Sequence, residues 1–298
     1  MRYFLLIAIV AVSLCVEIPF LPFSQIPSNV LTPGTIEISN EEIYVTAKAL
    51  PTEVSGGGNV TLVFQVASKA NYDLEGVSLD LYDPCVFNEV EPEPIGTLKS
   101  NQTKSWSWTL KSNVVTLDRD CELKFRVEYN GKFSLFQDIA VLTASEYNTR
   151  LVQGTLKSLP ISSSSSSSPL KISLAFTEEQ PFLDGASTGA QINYAYTGDG
   201  FIDVTSRGVA IKVPDNLLGS EPSCKDYDYT SGTLTLKKEL KFINKRATPS
   251  ICNSFTTKAS QMIDIKSLVL TANYKYMIDG SIPITIRGTS LSQPSKTS

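Results

Sequence analysis

Leu123-Lys-Phe-Arg-Val-Glu-Tyr129, followed at once by Asn130-Gly131, is the stretch on which the fold turns. Leu123, Phe125, Val127 and Tyr129 fall on one face of an extended chain and the charged residues between them fall on the other. Period two of this kind marks a strand with one buried face. Asn and Gly both tolerate positive φ, so the pair predicts a type I′ turn, with a return strand from Lys132 to about Leu142. The same phrase recurs near the end of the chain. Leu268-Val-Leu-Thr-Ala-Asn-Tyr-Lys-Tyr276 alternates, Asp279-Gly280 follows, and Ile282-Pro-Ile-Thr-Ile286 returns. Two copies of one ending suggest an internal duplication of a single plan. Pro283 lacks an N–H to donate, so its strand is expected at an edge.

Working outward, each half carries more strands of the same texture. In the first, Ile43 to Ala49, Val60 to Val66, Val77 to Leu81 and Trp106 to Leu110 alternate, with Gly56-Gly57-Gly58 breaking the chain. In the second, Leu170 to Phe176, Ile192 to Tyr196, Val209 to Val213 and Leu234 to Leu240 do so. Short alternating runs with regularly spaced turn residues describe a β-sandwich. Between the halves stand seven serines, Ser162 to Ser168, closed by Pro169. A serine run has no apolar side chain to bury, so it is expected as a solvated, protease-sensitive linker. The segment from Ser145 to Leu159 has helical apolar spacing, but Gly154 weakens a helix there. The expected organisation is all-β: two tandem immunoglobulin-like β-sandwich domains, 32–160 and 170–289, joined by the serine-rich linker 161–169, with a polar tail over 290–298.

The chain begins with Met1-Arg2 and an uncharged apolar run from Tyr3 to Val16. A basic start and a short apolar core match a secretory signal peptide over 1–16. The alternatives are a retained anchor, with membrane contact through residues 3–16, and a lipid-modified Cys15. All three export the remainder. Residues 17–31 form a proline-rich apolar arm in which Ile18, Phe20, Leu21, Phe23 and Ile26 need cover from lipid or protein. The prolines deny it a helix and point to an extended segment that fills a groove on a neighbouring subunit. The net charge of −4 over 298 residues recommends no nucleic acid partner. Histidine is absent, which removes Ser-His-Asp and Cys-His catalysis and the usual zinc ligand sets.

Beyond Cys15 the chain has Cys85 and Cys121 in the first half, Cys224 and Cys252 in the second. One disulfide per half is expected at corresponding strand ends, and a metal site is the alternative that the spacing does not favour. Asn59-Val-Thr61 and Asn101-Gln-Thr103 are glycosylation acceptors in an exported chain. Trp106 and Trp108 share one strand face, which permits either a carbohydrate-stacking platform or a place in the core. The acidic residues Asp80, Asp83, Glu89, Glu91 and Glu93, and again Asp226 and Asp228, read as solvated loops. Calcium is the alternative at the second group, whose loop lacks the closing glutamate. No cofactor is called for.

Gly57-Gly-Asn-Val-Thr-Leu-Val-Phe-Gln-Val66, the tandem disulfide-bearing sandwiches and the serine linker resemble immunoglobulin-like modules of archaeal cell-surface proteins and archaeal virus surface proteins. The resemblance spans both halves and lacks the Cys-Trp-Cys spacing of antibody domains. It implies a non-enzymatic structural or adhesion protein of an envelope, surface filament or virion exterior, with self-assembly or other surface proteins as partners. An extracellular carbohydrate-binding protein is the alternative, carried by Trp106, Trp108 and the tyrosines.

Overall fold

The period-two patterning is realised as strand over most of the described residues in a computed structural model that describes residues 34–289. The first half contributes β1 (Thr35–Ser39), β2 (Ile43–Leu50), β3 (Glu53–Ser55), β4 (Asn59–Ser68), β5 (Leu74–Asp83), β6 (Glu93–Leu98), β7 (Thr103–Lys111) and β8 (Arg119–Leu142). Helix α1 (Ala144–Gln153) and a 3-10 turn at Leu156–Ser158 follow. Then come β9 (Ser163–Ser165), β10 (Leu170–Phe176), β11 (Phe182–Leu183), β12 (Ser187–Tyr196), β13 (Phe201–Asp203) and β14 (Val209–Lys212). The chain continues through β15 (Ser223–Cys224), β16 (Tyr227–Thr230), β17 (Thr233–Leu236), β18 (Phe242–Ile243), β19 (Arg246–Thr256) and β20 (Ile263–Arg287).

The strands form an antiparallel sheet of order β1-β2-β4-β7, a second of order β10-β12-β19-β15, and a third of 11 strands with the spine β16-β17-β14-β20-β8-β5-β6. The two smaller sheets lie against the large one. Phe64 of β4 meets Phe125 of β8 edge-on at 5.1 Å, and Tyr194 of β12 reaches the Tyr227 hydroxyl of β16 at 2.6 Å. All described residues fall within one compact unit.

Neither Asx-Gly pair turns the chain. β8 and β20 run straight through them and pair antiparallel with each other, from Ile263↔Leu142 to Ile286↔Arg119. The expected hairpins are therefore replaced by an exchange. β8 pairs with β5 of its own half up to Asn130, then with β9 inside the serine run and with β11 beyond it. β20 pairs with β14 of its own half and finishes against β3 of the first. Each half's sheet is completed by the far end of the other half's last strand.

Side-chain phase explains why the chain goes straight. Tyr129, Gly131, Phe133 and Leu135 are all buried, as are Tyr276, Ile278, Ile282, Ile284 and Ile286. A two-residue hairpin at Asn130-Gly131 would make Lys132 and Ser134 share the inner face with Tyr129, and would turn Phe133 and Leu135 to solvent. A slip of one residue exchanges the two faces of a strand, and burial forbids it. The glycines have another purpose. A Cβ on Gly131 would run into the ring of Tyr274, its partner across the ladder, and one on Gly280 would run into the ring of Phe125. Phe125 precedes Gly131 by the same interval as Tyr274 precedes Gly280, so the exchange is two-fold about the Glu128↔Met277 pair. Asp279 is also a ladder residue, held by Nε and Nη2 of the facing Arg126 at 2.7 and 3.0 Å.

The serine run is likewise part of the sheet and not a free linker. Ser163–Ser165 pair with Gln137, Phe136 and Leu135 of β8, and Ser166 N donates to Ser134 O at 2.9 Å. Ser168 is fully buried. A backbone without apolar side chains cannot found a core, but its N–H and C=O groups pair as well as any other's. Two further details depart from or refine the expectations. Helix α1 forms, capped by Gly154 at φ 68, yet it buries none of its residues. Pro283 sits in a stretch of β20 with β8 on one side and, among the described residues, no strand on the other, between the partners β13 and β3.

Candidate functional site

Where the two halves meet, the long strands bring together a set of buried polar groups. The turn between β1 and β2 begins it. Asn40 Oδ1 accepts hydrogen bonds from the backbone N–H groups of Glu42 and Ile43 at 2.8 and 2.9 Å, which fixes the turn locally. The turn points Glu42 inward, where it is fully buried. Its Oε1 accepts from Tyr72 Oη at 2.5 Å and from Tyr274 Oη at 2.6 Å. Tyr72 stands in the loop after β4 and also accepts from Lys132 N at 2.6 Å. Tyr274 stands on β20 and lies 2.9 Å from Ser168 Oγ at the end of the serine run.

Beside this group Asn40 Nδ2 donates to Tyr129 Oη at 2.8 Å, and the Tyr129 and Tyr276 rings stack at 5.6 Å. Tyr276 Oη accepts from Gly200 N at 3.0 Å. Burial pushes the Glu42 carboxyl above the usual carboxylate range, while the hydroxyls of Tyr274, Tyr72 and Tyr129 pull it down. Burial also pushes the hydroxyls of Tyr274, Tyr129 and Tyr72 upward, with the Glu42 charge adding to it. The cluster joins the halves; it contains no nucleophile paired with a base. No spacing motif marks it, because Glu42 lies outside the alternation of β2 and its partners come from loops and strands far apart in the chain.

The residues singled out from sequence are spread over the surface and the core. Cys85 bonds Cys121 and Cys224 bonds Cys252, one disulfide in each half as expected. They do not occupy corresponding places. The first ties the loop after β5 to the start of β8, and the second links the neighbouring strands β15 and β19 within one sheet. Trp106 and Trp108 are half-buried and packed on the core, Trp108 edge-on to Phe64 at 5.4 Å. Asn59 and Asn101 are exposed, Asn101 in a turn at φ 57.

The acidic residues are scattered too. Asp226 and Asp228 are met by Lys238 and Lys237 at 3.0 and 3.4 Å, and Asp83 by Lys124 at 3.0 Å. Among the described residues no group of three or more acidic or cysteine side chains is placed to hold a metal ion. Ile18, Phe20, Leu21, Phe23 and Ile26, and the apolar run 3–16, lie outside the described residues. Among the described residues no helix is long and apolar enough to cross a membrane. Neither a protein-family model nor a curated protein matches the chain.

Proposed function

We propose that the chain is a non-enzymatic structural or adhesion protein of the cell exterior, an envelope, filament or virion component built from two immunoglobulin-like β-sandwich halves. The observation that carries this reading is the unbroken β8–β20 ladder. A ladder that spans both halves makes a stiff element in which pulling or shearing one half loads many hydrogen bonds at once. The two disulfides add covalent ties and fit an oxidising compartment. In this reading Asn59 and Asn101 are exposed glycan acceptors. Residues 17–31 form the assembly arm, and Ile18, Phe20, Leu21, Phe23 and Ile26 seat along an open sheet edge of a neighbouring copy or in lipid beside residues 3–16.

Strand β7, which pairs only with β4 among the described strands, is one such edge. The test is deletion of residues 17–29. Sizing, electron microscopy and membrane fractionation of the two forms are expected to show a folded protein that no longer forms multimers or stays with membrane. Identical behaviour of the deleted and full-length forms would overturn the assembly reading.

A further inference from the structure

Glu42 has the attributes of a carboxyl that enters the fold uncharged. It is fully buried, its Oε1 takes the hydroxyls of Tyr72 and Tyr274, and among the described residues its Oε2 makes no hydrogen bond, the Tyr129 hydroxyl being the other phenol that faces the carboxyl. Either form leaves Oε2 short of a partner, and the shortfall costs more for the ionised carboxylate, which brings a full charge and several acceptor sites into a dry site. Among the described residues no cation pairs with the Glu42 carboxyl. Lys69 on the neighbouring loop donates to Asn40 O at 3.3 Å and lies over the Tyr44 ring. The Lys132 ammonium on β8 pairs with Glu75 at 3.4 Å, and Lys171 on β10 faces Glu41 at 3.9 Å. The other groups that face Glu42 are phenols, from Tyr72, Tyr129 and Tyr274, and the like-charged Glu41 beside it.

We propose that Glu42 is an acid-closed latch. As a neutral acid it ties the β1–β2 turn, Tyr72, Tyr274 and the end of the serine run together, and its ionisation loosens the serine run from β8. The connection is short, since Tyr274 Oη donates to Glu42 Oε1 and accepts from Ser168 Oγ at 2.9 Å, at the end of the serine run. The direction follows from linkage. The folded state holds the Glu42 proton more tightly than the unfolded chain does. The stabilisation is therefore complete below the ordinary carboxylate value of 4.5 and is lost as pH rises through the folded value. The latch closes in acid and slackens towards neutrality.

The test is amide hydrogen exchange of residues 162–169 in the full chain, corrected for the intrinsic chemical rate, from about pH 4 to about pH 8. Wild-type protection is expected to fall by up to about tenfold for each pH unit above the midpoint of the Glu42 carboxyl. Glu42→Gln keeps the polar contact to the tyrosines without a titrating group, and its protection is expected to be flat. In parallel, the infrared band of a protonated carboxyl should persist in the wild type after the exposed carboxyls have ionised and be missing in Glu42→Gln. Tyr274→Phe is expected to retain that band while the serine run stays weakly protected at every pH. If Glu42→Gln does not fold, the wild-type band decides the matter by titrating in step with the exchange, or by failing to. Protection that is independent of pH in the wild type, or equally dependent in Glu42→Gln, would overturn the proposal.

Discussion

Ser231-Gly232 and Asn130-Gly131 are two glycine dipeptides between alternating strands, and only the first reverses the chain. Ser231 and Gly232 take φ 49 and 78 and join β16 to β17 in a hairpin. Asn244-Lys245, at φ 51 and 64, joins β18 to β19 in the same way with no glycine at all. Asn130-Gly131 has the stronger turn chemistry of the three, yet it lies extended inside β8. The difference lies in the flanks. Around Ser231-Gly232, Tyr229 and Leu234 face each other on the ladder. Around Asn130-Gly131, closing the turn would set Tyr129 opposite Lys132 and expel Phe133. A turn dipeptide offers only the local backbone preference of two residues, whereas exposing one large apolar side chain costs about 2 kcal/mol. Burial wins.

The comparison can be broken most decisively at the connector. If β8 and β20 truly pass between the halves, cutting the chain elsewhere must leave the halves bound. A protease site placed after Gly154, beyond the exposed α1, is expected to yield two fragments on a denaturing gel that still elute as one particle in native buffer. Fragments that separate without denaturant would mean that each half closes its own hairpin. The notion that the serine run is the weak point between independent pieces is exposed to the same experiment, because that run pairs with β8.

The glycines sharpen the contrast at smaller cost. Gly131→Ala places a methyl into the Tyr274 ring, and is expected to destabilise by about 2–3 kcal/mol in denaturant unfolding, an overpacking penalty. Gly232→Ala meets only ordinary contact, with Val213 O at 3.5 Å, and is charged for its positive φ alone, about 1 kcal/mol. Gly280→Ala should match Gly131→Ala, since Phe125 covers it as Tyr274 covers Gly131. Equal losses at Gly131 and Gly232 would indicate that Gly131 is a turn glycine after all. The smallest effect belongs to the asparagines. Asn130→Ala, on an exposed extended residue, should change stability by less than about 0.5 kcal/mol. Asn244→Ala, at positive φ, should cost about 1 kcal/mol. Reversal of that order by chemical denaturation would contradict the straight path of β8.

Much of this was legible before any coordinates. The phase of Tyr129, Phe133 and Leu135, and of Ile278 and Ile282, is written in the residues and is incompatible with two-residue hairpins; the familiar Asn-Gly signal masked it. The one-disulfide-per-half pairing was likewise readable from the placement of the cysteines on either side of the serines. The Glu42 cluster was not. Glu42 stands beside Glu41 in a polar turn with no periodicity to set it apart, and the tyrosines that enclose it belong to alternating faces that any core would use.

Alternation alone determined that this chain is all-β and which face of each strand is buried, because the side chains of a strand point to its two faces by turns and only one face can meet the core. It also determined that the serines found no core of their own. Which strand lies beside which was decided by the tertiary structure. Backbone hydrogen bonds carry no side-chain identity, so β8 could have been completed by its own return or by β20, and the serine backbone could have been solvated or paired. The choice fell to contacts between residues far apart in sequence: the Tyr274 ring over Gly131, the Phe125 ring over Gly280, and a buried carboxyl that reaches across the junction to Tyr274.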